Sequence, residues 1–117
     1  MVKSNNQAIV EAAVRGWARH IAAQRPEVQR IIWFGSRVTG VPAPSSDVDV
    51  CVVISGSRRP VRDRIGDYLP FGFPVGIDLF PYTESELQRL ETEHPSWYAA
   101  IASGIDLITT SPENSAN

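Results

Sequence analysis

Ile31-Ile32-Trp33-Phe34-Gly35-Ser36 and, past the segment Arg37 to Ser46, Asp47-Val48-Asp49-Val50-Cys51-Val52-Val53-Ile54 form the stretch on which the fold turns. Each half holds an apolar, β-branched or aromatic run, the composition of a buried strand. The first run stops at a glycine-serine pair, and the second starts at two carboxylates on alternate positions. Side chains alternate across a strand, so Asp47, Asp49, Cys51 and Val53 share one face, with Val48, Val50, Val52 and Ile54 on the other. A glycine allows close backbone approach or an unusual dihedral angle. Ser36 and the neighbouring amides can donate to phosphate oxygens.

Outward from this centre, helices and strands alternate. Ile9, Ala13, Trp17 and Ile21, with Val10 and Val14 beside them, predict an amphipathic helix over about 6–24, capped by Ser4, Asn5 or Asn6 and ended before Pro26. Val28 to Phe34 is the first strand. Val38 to Ser46, with Gly40, Pro42 and Pro44, reads as a loop, and Val48 to Ile54 as the second strand. A short helix over about 60–69 follows, with Val61, Ile65, Tyr68 and Leu69 on its apolar side. Val75 to Tyr82 is a third strand, and Thr83-Glu84-Ser85-Glu86 has the spacing of a capping box. A helix from Pro95, a stop at Gly104, and a last strand over Ile105 to Thr109 complete a domain over 1–110. Ser111 to Asn117 reads as a disordered tail.

This order implies an α/β (α+β) domain: a small mixed sheet with helices packed on one face. In the third strand Val75, Ile77 and Leu79 share a face, which turns Asp78 to the other. If the strands are neighbours, Asp47, Asp49 and Asp78 converge. An acid between Ile77 and Leu79 is unusual unless its face is functional.

Three carboxylates on one surface repel one another, and hard oxygen ligands of this kind favour Mg²⁺ or Mn²⁺. Two such ions could hold the attacking and leaving oxygens of an in-line phosphoryl displacement. Arg37 is placed to add charge-assisted hydrogen bonds to a triphosphate; the alternative is a surface arginine. Asp-x-Asp alone is common in turns and Gly-Ser alone is commoner still, so the reading rests on their conjunction with the third acid.

Composition narrows the field. The 117 residues are 43% hydrophobic and 21% charged, with a net charge of −2, which argues against direct nucleic-acid binding. No apolar run approaches a membrane span, and the first residues lack a signal-peptide core. Cys51, the single cysteine, reads as a buried, reduced thiol, and a cytoplasmic location suits it. Trp17 and Trp33 read as core rather than ligand-stacking, Trp97 and Tyr98 as core or a partner-facing patch with core favoured, His20 as a helix-end residue and His94 as part of a helix-to-helix turn. Arg58, Arg59, Arg62 and Arg64 read as a solvated turn and helix start, or as an edge facing a triphosphate or an acidic partner.

Phe34-Gly35-Ser36-Arg37-Val38-Thr39-Gly40, then Ser45-Ser46-Asp47-Val48-Asp49-Val50 and Gly76-Ile77-Asp78-Leu79, together resemble the signature of the DNA polymerase β-like nucleotidyltransferases. The layout over about 8–110, closing on Ile101-Ala102-Ser103-Gly104-Ile105-Asp106-Leu107-Ile108, is similar to the minimal nucleotidyltransferase branch. The resemblance implies that Asp47 and Asp49 bind two metal ions and that Asp78 joins the catalytic one. It also implies that Gly35 and Ser36 hold nucleotide phosphates; Arg37 and Ser46 complete the candidate nucleotide-binding set. The implied reaction moves a nucleoside monophosphate, usually AMP from ATP, onto a hydroxyl and releases pyrophosphate. Stand-alone members of that branch are often antitoxins of HEPN-domain RNase toxins, and some adenylylate a tyrosine on the toxin. The alternatives are a binding-only antitoxin and a transferase acting on a small molecule such as an aminoglycoside.

Overall fold

The structure, a computed structural model, describes residues 7–39 and 47–109. The helix caps expected at Ser4 to Asn6, most of the loop ending at Ser46, and the tail from Ser111 lie outside the described residues. Helix α1 (Gln7–Gln24) leads into strand β1 (Val28–Phe34), the one-turn helix α2 (Ser36–Thr39) and strand β2 (Val48–Ile54). Helix α3 (Val61–Arg64) continues into a 3-10 turn at Ile65–Asp67, followed by β3 (Ile77–Thr83), α4 (Glu84–Glu93), α5 (Pro95–Ala102) and β4 (Ile105–Thr109).

The strands form one mixed sheet in the order β3-β2-β1-β4. β1 is antiparallel to both β2 and β4, while β2 and β3 run parallel with Asp49 directly opposite Asp78. The end of β1 and the starts of β2 and β3 therefore lie at one end of the sheet. Val48 N–H closes that end by donating to the Gly76 carbonyl at 2.9 Å. β3 is an edge strand, which is where Pro81, lacking an N–H, can be accommodated.

Val48, Val50, Val52 and Ile54 pack with Val10, Val14, Trp17, Ala18 and Ile21 of α1. The buried stripe of α1 is not the strict every-fourth-residue set: Ile9 is exposed. A spacing of four turns about 40° past a full revolution at each step, so a straight row of such residues walks off the face. Trp17 Nε1 donates to the Tyr68 carbonyl at 2.7 Å, and Tyr68 Oη donates to Glu27 at 2.7 Å. These bonds tie Tyr68, just after the 3-10 turn, to the middle of α1 and to the α1–β1 connection.

Helices cover the other face as well, which corrects the expectation of a single helical layer. Ile32, Phe34, Cys51 and Val53 pack against Leu87 of α4 and Ile101 of α5. The acids on this face stand only at the strand starts: Asp47 just precedes β2, and Asp49 and Asp78 are the second residues of β2 and β3. Beyond them Cys51, Val53, Phe80 and Tyr82 are apolar or aromatic and need a cover. The capping box forms as spaced: Glu86 N–H donates to Thr83 Oγ1, and Thr83 N–H donates to the Glu86 carboxylate.

Glu86 does a second job. Its carboxylate receives both terminal nitrogens of Arg64, at 2.7 and 3.0 Å, and Arg64 also donates to the carbonyls of Arg59 and Pro81 at 2.8 Å. Arg64 is 2% exposed, so it is not part of a solvated basic cluster. Its contact with the Pro81 carbonyl satisfies an acceptor on the edge strand. Arg59, by contrast, is exposed and paired with Asp67. Among the described residues no helix is long and apolar enough to cross a membrane.

Candidate active site

Parallel register sets the site. Asp49 and Asp78 are Cα partners on neighbouring strands, and Asp47 precedes β2 at the same end. Asp47 and Asp78 are exposed and Asp49 is half-buried. Burial first, then the charges of Asp78 and Asp47, raise the Asp49 pKa above the ordinary carboxylate value. The sheet thus brings together the three acids that alternation alone could only place on a common face.

Two glycines make room for them. Gly35 has φ +93°, a left-handed conformation that side-chain-bearing residues rarely adopt. The Asp49 carboxylate fills the space beside it: a β-carbon on Gly35 would collide with Oδ2 and stand 3.1 Å from Cγ. Gly76 does the same for Asp47, whose Cγ would lie 2.8 Å from an added β-carbon. The Gly35-Ser36 turn is closed by Val38 N–H donating to the Gly35 carbonyl at 3.0 Å.

Along the same face the next residues form an aromatic block. Phe34, the β1 partner of Asp49, lies 5.8 Å from Phe80 and 5.5 Å from Trp97 between ring centroids, and Phe80 lies 5.0 Å from Trp97. The Trp97 contacts are edge-on, and its Nε1 donates to Tyr82 Oη at 3.0 Å.

Ser36 is exposed at the start of α2. Arg37 is only 5% exposed, and its Nη1 donates to the Gln7 side chain at 2.8 Å. Ser46 lies outside the described residues. Cys51, on the same face as the acids, is fully buried, and burial pushes its thiol pKa up to about 12.

The donors here are carboxylate oxygens, the chemistry of a hard divalent cation. Among the described residues no group of three His, Cys, Asp or Glu side chains forms a ready metal cage. Mg²⁺ sites are characteristically of that open kind: one or two carboxylates act together with substrate phosphates. The donor set, and the neighbouring charges that raise the Asp49 pKa, therefore fit such an ion.

A mixed sheet carrying a Gly-Ser turn beside an Asp-x-Asp pair and a third strand-borne acid defines a nucleotidyl-transfer fold. The family model described as "Nucleotidyltransferase domain" matches residues 17–95, more than half of the chain, and the protein belongs to that family. A crystal structure from Sulfolobus solfataricus, of a protein assigned provisionally to the nucleotidyltransferases, superposes with a TM-score of 0.63 at 20% identity. The match covers 91% of this chain and 87% of that one, and it shows a common fold. No curated protein matches the chain.

The sequence named the three acids and Gly35. The task of Gly76 was legible only as a glycine just ahead of the third acidic strand. Nothing local marked Gln7, which meets Arg37 across thirty positions of sequence.

Proposed function

We propose that the protein is a Mg²⁺-dependent adenylyltransferase that moves AMP from ATP to a hydroxyl on a partner protein, a tyrosine in the first instance. The observation that carries this reading is the Asp49–Asp78 register, with Asp47 at the same sheet end and Gly35 packed on the Asp49 carboxylate.

Asp47, Asp49 and Asp78 would hold two Mg²⁺ ions, with Mn²⁺ as an alternative. When bound, these ions supply charge neutralisation at the attacking and leaving oxygens of the displacement. Gly35, Ser36, Arg37 and Ser46 hold the phosphates and set the α-phosphorus in line with the incoming hydroxyl. Asp78 receives the hydroxyl proton as the new phosphate–oxygen bond forms and the bond to the pyrophosphate breaks. Burial and the charges of Asp78 and Asp47 raise the Asp49 pKa, which supports reading the three acids as a place for a cation.

A protein acceptor brings its own surface to the site. On this reading the protein is the antitoxin of a HEPN-type RNase toxin, of the minimal nucleotidyltransferase type, acting in the cytoplasm. The test is incubation with α-phosphate-labelled ATP, Mg²⁺ and source-cell lysate, with Asp47→Asn as control. A labelled protein band that requires Asp47 supports the proposal, and mass spectrometry of that band identifies the acceptor. A tightly bound partner that stays unlabelled favours an antitoxin acting by binding alone. No label and no partner favours a small-molecule acceptor.

A further inference from the structure

We infer that Gln7, the first described residue of α1, is a positioning residue for the nucleotide-binding turn. The inference rests on the assignment of Gly35 and Ser36 to nucleotide phosphates made above.

Gln7 grips Arg37 twice. Its Oε1 accepts from Arg37 Nη1 at 2.8 Å, and its Nε2 donates to the Arg37 carbonyl at 3.3 Å. One amide thereby fixes both the guanidinium and the backbone of the residue that follows Gly35-Ser36. The guanidinium it holds is buried while Gln7 itself is exposed, so the contact lies at the boundary where α1 meets the turn. The other side of the turn is already set, because Gly35 lies against the Asp49 carboxylate. The Gly35-Ser36-Arg37 segment is therefore clamped between the acids of β2 and the start of α1. A turn that must present backbone amides and a hydroxyl to phosphates gains from such a clamp, since misplacement by about 1 Å can reduce rate roughly 100-fold.

The geometry also says which replacements should matter. Alanine removes both contacts. Glutamate keeps an acceptor for Nη1, charge-assisted, and loses only the longer bond to the carbonyl. The core of α1, from Val10 to Ile21, is untouched by either change.

The experiment is calorimetric titration of the native protein, Gln7→Ala and Gln7→Glu with α,β-methylene-ATP in Mg²⁺, with thermal midpoints measured alongside. The expected result is about tenfold weaker binding for Gln7→Ala. Gln7→Glu should stay within roughly threefold of native with a similar midpoint, while Gln7→Ala, which takes the Oε1 acceptor from the buried Arg37 guanidinium, should melt several degrees lower; binding is therefore read well below every midpoint. Native-like binding by Gln7→Ala overturns the inference while leaving the nucleotide reading intact. Equal weakening in Gln7→Glu with its midpoint unchanged shows that the grip on the Arg37 guanidinium does not position the turn, and also overturns it. Failure of the native protein to bind removes the nucleotide reading itself.

Discussion

Asp49 and Gly35 compete for one volume: the Asp49 carboxylate sits where a β-carbon on Gly35 would have to stand, with Cγ 3.1 Å from that point. The end of β1 and the start of β2 can approach this closely because residue 35 has no side chain and takes φ +93°. The pairing of Phe34 with Asp49 continues the ladder to the edge of the site.

Gly35→Ala should therefore displace either the turn or the carboxylate. Its expected effect is a loss of transfer of roughly 100-fold or more, from misplacement of reacting groups. Gly16 is the internal contrast. It lies within α1 with open space around it, so Gly16→Ala should stabilise the fold by about 0.5–1 kcal/mol through helix propensity. Parallel denaturant titrations and activity assays on the two variants check both outcomes.

Asp49→Asn should separate stability from activity. Burial, Asp78 and Asp47 all raise the Asp49 pKa, so its ionised form destabilises the metal-free fold. The destabilisation grows as pH rises through the unfolded pKa towards the raised folded one. The variant should then be more stable than the native protein at pH 7, with the gain vanishing in acid where native Asp49 is protonated. Transfer activity should be lost. Thermal midpoints recorded without metal across pH 3–8 test the sign; a variant less stable at pH 7 would contradict the account.

The Arg64–Glu86 pair should govern acid unfolding. Hydrogen bonding from Arg64 comes first among the effects that lower the Glu86 pKa from 4.5 to about 2. A folded pKa below the unfolded one contributes stability in full above about 4.5, lost progressively as pH falls towards 2. Glu86→Ala leaves Arg64 buried without its partner, a loss of roughly 3–5 kcal/mol at neutral pH. Chemical denaturation at pH 7 and pH 3 should show the native–variant gap narrowing in acid.

Cys51 should be inert. With its thiol buried and its pKa pushed up to about 12, almost no thiolate exists at pH 8. An aromatic disulfide reagent should leave the folded protein unmodified for hours and label it in one step once denaturant is added. Fast labelling of folded protein would place that strand face in contact with solvent.

Much of this was written locally. β1, β2 and β4 run over the spans expected, Val28–Phe34, Val48–Ile54 and Ile105–Thr109, and the capping box at Thr83 and Glu86 appears as spaced. The third strand starts at Ile77 rather than Val75, because Gly76 is taken up in spacing the chain from Asp47. The helix expected over 60–69 is one turn of α-helix followed by a 3-10 turn carrying Gly66, whose low helix propensity weakens a longer run. What remained hidden depends on distant partners. Arg64 looked solvated because Glu86 stands twenty-two positions away. The second helical layer is not legible in the acids, because Asp49 and Asp78 mark their face as polar while Cys51, Val53, Phe80 and Tyr82 decide its burial. Convergence of the acids itself needed the β2–β3 register, which no single strand encodes.

The most direct measurement of the central claim is an electron paramagnetic resonance titration with Mn²⁺, with and without α,β-methylene-ATP, on the native protein and on Asp49→Asn. If Asp47, Asp49 and Asp78 form a nucleotide-assisted cation site, the native protein removes Mn²⁺ from the free pool. It does so more tightly with the nucleotide, and the variant loses this binding. Equal Mn²⁺ uptake by native and variant proteins, or none by the native protein with nucleotide present, would contradict it.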